Sequence, residues 1–173
     1  MSTSPPALPW SYGRRVSHKR LMAVTGPEFR PAAGVAGLVT REAGVDATDT
    51  VAALDAAAFG NAVDPARTWV RRYLDAPQAL VLVAWLDGEP VGTATGLRSD
   101  GDAGPCVEVS AVGVLEQARE RGIGAALTSA VTTWGFASGA DLAWLGPESD
   151  DAARLYERLG YAETAGLDIY VDV

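Results

Sequence analysis

The sequence predicts an α/β fold, and three stretches carry the prediction. Val107–Leu127 reads as a valine-rich strand (Val107, Val109, Val112, Val114) that feeds a glycine-rich turn and opens a helix. Ala79–Leu97 reads as two strands joined by the turn Asp87-Gly88. Ser149–Gly160 reads as a capped helix set between two further strands. At 173 residues the chain fits one domain with a sizeable core. Its 48% hydrophobic and 21% charged residues exclude a disordered chain.

Taken in order, residues 1–33 are a basic N-terminal extension and residues 34–173 the domain. Residues 1–30 hold five of the 14 basic residues and one of the 22 acids. The extension is expected to dock, with Leu21–Val24 extended. Gly34–Arg41 is the next strand. Asp46 or Thr48 caps a helix that buries Val51, Leu54 and Ala58 and stops at Gly60. Asp64-Pro65, a cap followed by proline at the first helical position, opens another helix with Ala66, Trp69, Val70, Tyr73 and Leu74 on one face. Ala79–Leu86 and Pro90–Leu97 pair, and Ser99–Pro105 makes a flexible turn into the central strand. From Ile123, apolar residues at Ala126, Leu127, Ala130, Val131 and Trp134 follow helical spacing, and Gly135 or Gly139 ends that helix. Asp141–Leu145 is a strand. The helix capped by Ser149 buries Ala152, Leu155, Tyr156 and Leu159, Gly160 closes it, and Leu167–Val173 alternates as a last strand.

Several classes are disfavoured. The longest apolar run, Ala79–Leu86, is too short to span a bilayer, and no apolar signal-peptide core opens the sequence, so the cytoplasm is the expected compartment with no membrane partner. One cysteine and one histidine make neither a disulfide nor a conventional zinc cluster, so no metal is expected. Cys106 reads as a small buried hydrophobe and His18 as a surface residue. The chain's net charge is −8, and outside residues 1–30 it is −12. That acidity argues against nucleic acid and suits a cationic substrate such as an amine, although it also serves plain solubility.

The chemistry centres on Val107–Leu127. Gly122 and Gly124 let backbone N–H groups approach a ligand, the helix that follows presents a partial positive charge, and Arg119 and Arg121 add formal charge. A P-loop would need lysine and Ser/Thr where Ala125 and Ala126 stand, and a dinucleotide fingerprint would want a small residue where Leu127 stands. The residues alone leave two readings open, an anion cradle or a tight strand-to-helix turn. Glu108 is the one charge within the central strand. It is either a buried general base or a charge on the strand's wet side.

Val114–Leu127, with Arg119-x-x-Gly122-x-Gly124, resembles the acyl-CoA-binding motif of the GNAT superfamily, the GCN-five-related N-acetyltransferases. Gly146–Tyr161, with Leu155-Tyr156-x-x-Leu159-Gly160-Tyr161, is similar to that family's later helix, and the likeness extends loosely over Leu38–Val173. The resemblance implies a GNAT fold, with a central mixed, mostly antiparallel sheet flanked by helices. It implies acetyl-CoA as cosubstrate and a small-molecule amine or protein amino group as acceptor. Transfer would be direct, in a ternary complex, and a homodimer would be common. Backbone at Val112, Gly113 and Val114 would hold the pantetheine amides, with Gly113 permitting a bulge that splays the next strand. Arg119, Glu120, Arg121, Gly122, Ile123, Gly124 and Ala125 would hold the pyrophosphate, Tyr156 would protonate the departing thiolate, and Glu108 would be the base. Trp69 and Tyr73 would border the acceptor site. The chain departs from the pattern at Ser149, where the family often has asparagine, and at Ala118, where it has an aromatic or hydrophobic residue. Two other functions fit the same motifs, a CoA-binding sensor without transfer and a nucleotide-binding module.

Overall fold

The centre of the sheet grows from the hairpin whose turn chemistry is most local. Asp87 and Gly88 both take positive φ, 53° and 92°. This is the geometry a two-residue hairpin loop favours, because it matches the twist of the flanking strands. The computed structural model describes residues 14–171. Its strands are β1 (Arg14–Thr25), β2 (Leu38–Glu42), β3 (Ala79–Leu86), β4 (Glu89–Gly101), β5 (Gly104–Val114), β6 (Leu142–Leu145) and β7 (Ala162–Val171). Its helices are α1 (Thr48–Phe59), α2 (Val63–Leu74), α3 (Ile123–Ala137) and α4 (Asp150–Arg158).

Among the described residues one seven-stranded sheet runs in the order β2-β3-β4-β5-β6-β1-β7. Every neighbouring pair is antiparallel except β5 and β6. Both faces are covered around β3, which explains its unbroken apolar run. Leu80, Leu82 and Ala84 join the core that includes Leu127 and Val131 of α3, with Ala153 of α4. Val81 and Val83 pack instead against Val51 and Leu54 of α1 and Ala66 and Val70 of α2.

Several sequence expectations shift. Arg14–Thr25, read as part of a basic extension, is a strand inside the sheet, paired with β6 through Met22–Thr25 and with β7 along most of its length. Residues 1–13 and 172–173, parts of the predicted extension and last strand, lie outside the described residues. The strand predicted at Gly34–Arg41 starts only at Leu38, because Gly37 turns with φ of 75°. The expected turn Ser99–Pro105 is mostly ladder, with pairing continuing to Gly101↔Gly104, where Gly104 takes φ of 113°. α3 passes through Gly135 and ends before Gly139, whose φ is 90°. Gly60 and Gly160 close α1 and α4 with φ of 71° and 94°, as expected of glycines past a helix end.

The feature that makes the site is a loss of pairing. The parallel ladder of β5 and β6 stops at Glu108↔Trp144, although β5 continues to Val114. A bulge on β5 accompanies it, with Thr93 facing Gly113 and Thr95 facing Ser110, so that Ala111 and Val112 together oppose Ala94. The bulge was expected at Gly113. It falls instead at Ala111, a non-glycine residue with φ of 49°. Gly113 is small for another reason: a Cβ there would stand 2.8 Å from Ala58 Cβ and 3.1 Å from Phe59 Cε2, so α1 packs directly on it.

Candidate active site

Where β5 and β6 part, two cavities meet. The first, of about 810 Å³, is lined by Val112–Val114 of the bulged strand, Gly124 of α3, Ser149 and Tyr156, with Asp55, Phe59 and Asn61 around the end of α1. The second, of about 840 Å³, is lined by Glu108, Trp144 and residues 17–21 of β1. Val109, Ser110, Ala111, Gly146, Glu148 and Ser149 line both, so the cavities adjoin at the strand gap.

The start of α3 is built to leave donors free. Gly122 takes φ of 80° as the residue before the helix, a conformation that glycine adopts without a Cβ penalty. Among the described residues no side chain caps this end, and no acid occupies its first turn. The first intrahelical bond recorded there is Ala126 N–H to Gly122 O, at 3.0 Å, so the N–H groups of Ile123, Gly124 and Ala125 lack an intrahelical acceptor. Ile123 contributes only backbone, its side chain being buried in the core. A Cβ on Gly124 would lie 3.5 Å from Leu155 Cδ1, in ordinary contact. An anionic pyrophosphate fits this donor set.

Arg119 is placed differently from its expected use as a free charge. Its Nε donates to Val114 O at 3.1 Å and its Nη2 to Ala58 O at 3.2 Å, which ties the loop to β5 and α1. Glu120, with φ of 63°, and Arg121 are exposed beside it. Ser149 caps α4 as the sequence suggests, its Oγ accepting from Ala152 N–H at 3.2 Å.

Tyr156 stands half-buried in the first cavity. Its phenol makes no hydrogen bond among the described residues. Burial, with help from the charge of Glu148, raises its pKa above the ordinary phenol range, so it stays protonated at neutral pH. Tyr161 backs it with ring centroids 6.1 Å apart, and is itself fixed by a 2.6 Å hydrogen bond between its hydroxyl and Thr132 Oγ1. Glu108 is half-buried in the second cavity. Alternation puts Val107 and Val109 into the core and turns Glu108 to the opposite face. Burial pushes its carboxyl above the ordinary range. The same cause raises Asp55.

Asp55, Phe59 and Asn61 were not singled out from the sequence. The helical pattern of α1 showed which face is apolar, not which end overhangs the strand gap. Trp69 and Tyr73 line neither cavity: Trp69 is exposed under Arg72, whose guanidinium carbon lies 5.2 Å from its ring centroid, and Tyr73 packs at the edge of the α1–α2 core. Cys106 is half-buried with Sγ 3.3 Å from Ser99 Oγ, and exposed His18 pairs with Asp168 at 2.7 Å.

Residues 48–161, well over half of the chain, match the acetyltransferase (GNAT) family. The chain is a GNAT protein. A GCN5-related N-acetyltransferase from Kribbella flavida is 30% identical, with a TM-score of 0.69 over 88% of this chain and 57% of its own. A GCN5-related N-acetyltransferase from Sphaerobacter thermophilus shares the fold at 23% identity and a TM-score of 0.68, over 92% of this chain and 54% of its own. This GNAT chain thus spans little more than half the length of those two proteins. The aminoglycoside N-acetyltransferase AAC(6')-Iy, solved with a CoA-linked bisubstrate analog, has the same fold at 22% identity and a TM-score of 0.66, over 79% of this chain and 98% of its own. No curated protein matches the chain. No helix among the described residues is long and apolar enough to cross a membrane, and no three His, Cys, Asp or Glu among them group to hold a metal ion.

Proposed function

We propose that this GNAT protein transfers an acetyl group from acetyl-CoA to a primary amine by direct attack in a ternary complex. The observation that carries the reading is the meeting of the two cavities at Ser110–Ala111, with a protonated phenol in one and a desolvated carboxylate in the other. Acetyl-CoA supplies the thioester. In the first cavity the uncapped start of α3, flanked by Arg119, Glu120 and Arg121, takes the pyrophosphate. The Val112–Val114 backbone, which follows the bulge at Ala111, takes the pantetheine amides, and Ser149 sits beside that arm.

An alkylammonium has a pKa near ~10 and must lose a proton before it attacks. Glu108, as the carboxylate, accepts that proton directly or through one water, and its raised pKa brings it closer to the working pH. The amine nitrogen forms the new C–N bond as the C–S bond breaks. Tyr156 gives its proton to the departing thiolate, and both groups re-equilibrate with solvent, so the products are an amide and free CoA.

The test is calorimetric titration with acetyl-CoA, CoA and NAD, followed by thiol release over a panel of amines. Micromolar acetyl-CoA binding with release on some amine supports the enzyme. Binding without release on any amine leaves a CoA sensor, and NAD competing with CoA would leave a nucleotide module.

A further inference from the structure

α1 carries an acid where its pattern asks for an apolar residue. Its buried residues are Val51, Ala52, Leu54 and Ala56. Asp55 lies one turn after Val51 and Ala52 and one turn before Ala58 and Phe59, so it stands in the row that rests on the sheet. On one side of it Val51 packs with Val81 and Val83, and on the other Ala58 lies against Gly113. The Asp55 side chain is half-buried and makes no hydrogen bond or ion pair among the described residues. Burial alone raises its pKa above the ordinary carboxylate range. Arg119 is the one cation among the described residues that line the same cavity, and it is committed to Val114 O and Ala58 O. A desolvated carboxylate without a partner costs stability, and such breaches of local rules collect at functional sites.

The register puts Asp55 and Glu108 on the same side of the sheet. Val81 packs on α1, Val81 faces Thr95, and Thr95 faces Ser110. Residues opposite one another share a side, as do residues two apart along a strand, so Ser110 and Glu108 both turn toward the α1 side. Asp55 and Ser110 line the first cavity, and Glu108 and Ser110 line the second. Ser110, where the cavities meet, therefore has one carboxylate coming from the helix and another from its own strand. What this arrangement lacks is a cation from outside. A carboxylate held on a helix and partly desolvated takes a charge-assisted hydrogen bond from an ammonium group more strongly than one in water does. A pantetheine N–H is the competing donor, and it would register as lost cosubstrate affinity when Asp55 is neutralised.

We propose that Asp55 holds the acceptor's ammonium group beside Ser110, across from Glu108, and selects acceptors that arrive charged. Two carboxylates then converge on one nitrogen with different tasks. Asp55 keeps a hydrogen bond to N–H throughout, and Glu108 removes one proton before the nitrogen attacks the thioester carbon. The proposal rests on the acetyltransferase reading and adds a specificity-determining residue to it.

The test uses the full chain loaded with CoA and two amines of equal length: ethylamine, a cation at neutral pH, and 2,2,2-trifluoroethylamine, whose electron-poor nitrogen is uncharged there. The carboxyl carbon-13 resonances of Asp55 and Glu108 are assigned from Asp55→Asn and Glu108→Gln. Ethylamine should shift both resonances along one saturation curve, and trifluoroethylamine should bind about tenfold more weakly. Asp55→Asn should weaken ethylamine by about tenfold, the effect of one charge-assisted hydrogen bond. The same variant should bind CoA unchanged by calorimetry and unfold at the same or a higher urea concentration, because it removes an unpaired charge from a desolvated place. An Asp55 resonance that ethylamine leaves unmoved, equal binding of the two amines, equal ethylamine affinity in Asp55→Asn, or a lowered urea midpoint overturns the proposal. Loss of CoA affinity in Asp55→Asn also overturns it and gives the residue to the pantetheine arm. Thiol release with acetyl-CoA separates the two readings. Ethylamine bound at Asp55 with no acetylation of any amine sinks the transferase and keeps the ammonium site, and acetylation with an unchanged KM in Asp55→Asn does the reverse.

Discussion

Gly135→Ala should destabilise this protein, although alanine is ordinarily better than glycine inside a helix by about 1 kcal/mol. A Cβ at position 135 would stand 2.3 Å from Val107 Cγ1 and 2.8 Å from Val107 Cβ. Val107 is fully buried at 0% exposure on β5, so neither rotation of its side chain nor outward relaxation is free. Overpacking of a filled core costs about 1–3 kcal/mol, and contact with a β-branched residue anchored in the central strand belongs at the upper end. Setting the helix gain against that cost leaves about 2 kcal/mol of net loss. For a chain of this size the melting temperature should then fall by about 4–8 °C. Val107→Ala removes the nearer methyl groups, so in a double-mutant cycle by urea unfolding the pair should be about 1 kcal/mol less destabilised than the sum of the singles. A Gly135→Ala protein that melts at or above the parent would refute the packing of α3 on β5, and with it the account of how Glu108, the next residue, is held at the cavity.

Three further outcomes test the site. Tyr156→Phe keeps the ring against Tyr161 but loses the proton donor; kcat should fall by about 10²–10⁴ with acetyl-CoA affinity by calorimetry nearly unchanged. Glu108, whose pKa is raised by burial, binds a proton in the folded state that the unfolded chain has already released above pH ~4.3. Stability should therefore decline as pH rises from there through the folded pKa, while turnover rises across the same window as the carboxylate forms. Glu108→Gln should flatten the first trend in urea unfolding and remove the second from the pH–rate profile. Arg119→Ala should cost about 1–2 kcal/mol in the absence of any CoA, because it breaks the bonds to Val114 O and Ala58 O. If urea unfolding of the free protein is unaffected, those bonds do not brace the loop.

What was legible in the sequence was what is decided locally. Asp87-Gly88 dictates its own turn, and β3 came out with the bounds its apolar run suggests. Ser149 caps α4 because a hydroxyl next to free N–H groups needs no distant partner. Of β1 only Leu21–Val24 was legible; Arg15–Arg20 shows no clean alternation and becomes a strand because β7 pairs along it. The bulge at Ala111 was hidden for a related reason. Glycine at 113 drew attention, but the register is set by β4 across the ladder, and the glycine is required by α1 lying on top of it. Arg119 shows the limit of motif reading at its sharpest: the residue type was legible, while its bonds to Val114 and Ala58 depend on where α1 ends.

The site itself follows from a mismatch in strand length. β6 is four residues long and is followed by Gly146-Pro147. Proline has no N–H to extend a ladder, and glycine at 146 lets the chain leave close to the Arg20 carbonyl. Its neighbour β5 has eleven residues and cannot stop with it, because β4 continues to hold it as far as Val114. The sheet must therefore open beyond Glu108↔Trp144, and the opening exposes backbone on β5 to one side and on β1 to the other. The bulge at Ala111 turns part of the β5 backbone toward the start of α3 and Tyr156, while Glu108 remains on the β1 side. The two cavities thus share one wall because a single short strand fails to reach the end of its sheet. Extending β6 by replacing Pro147 would be expected to close that wall before it disturbed either core.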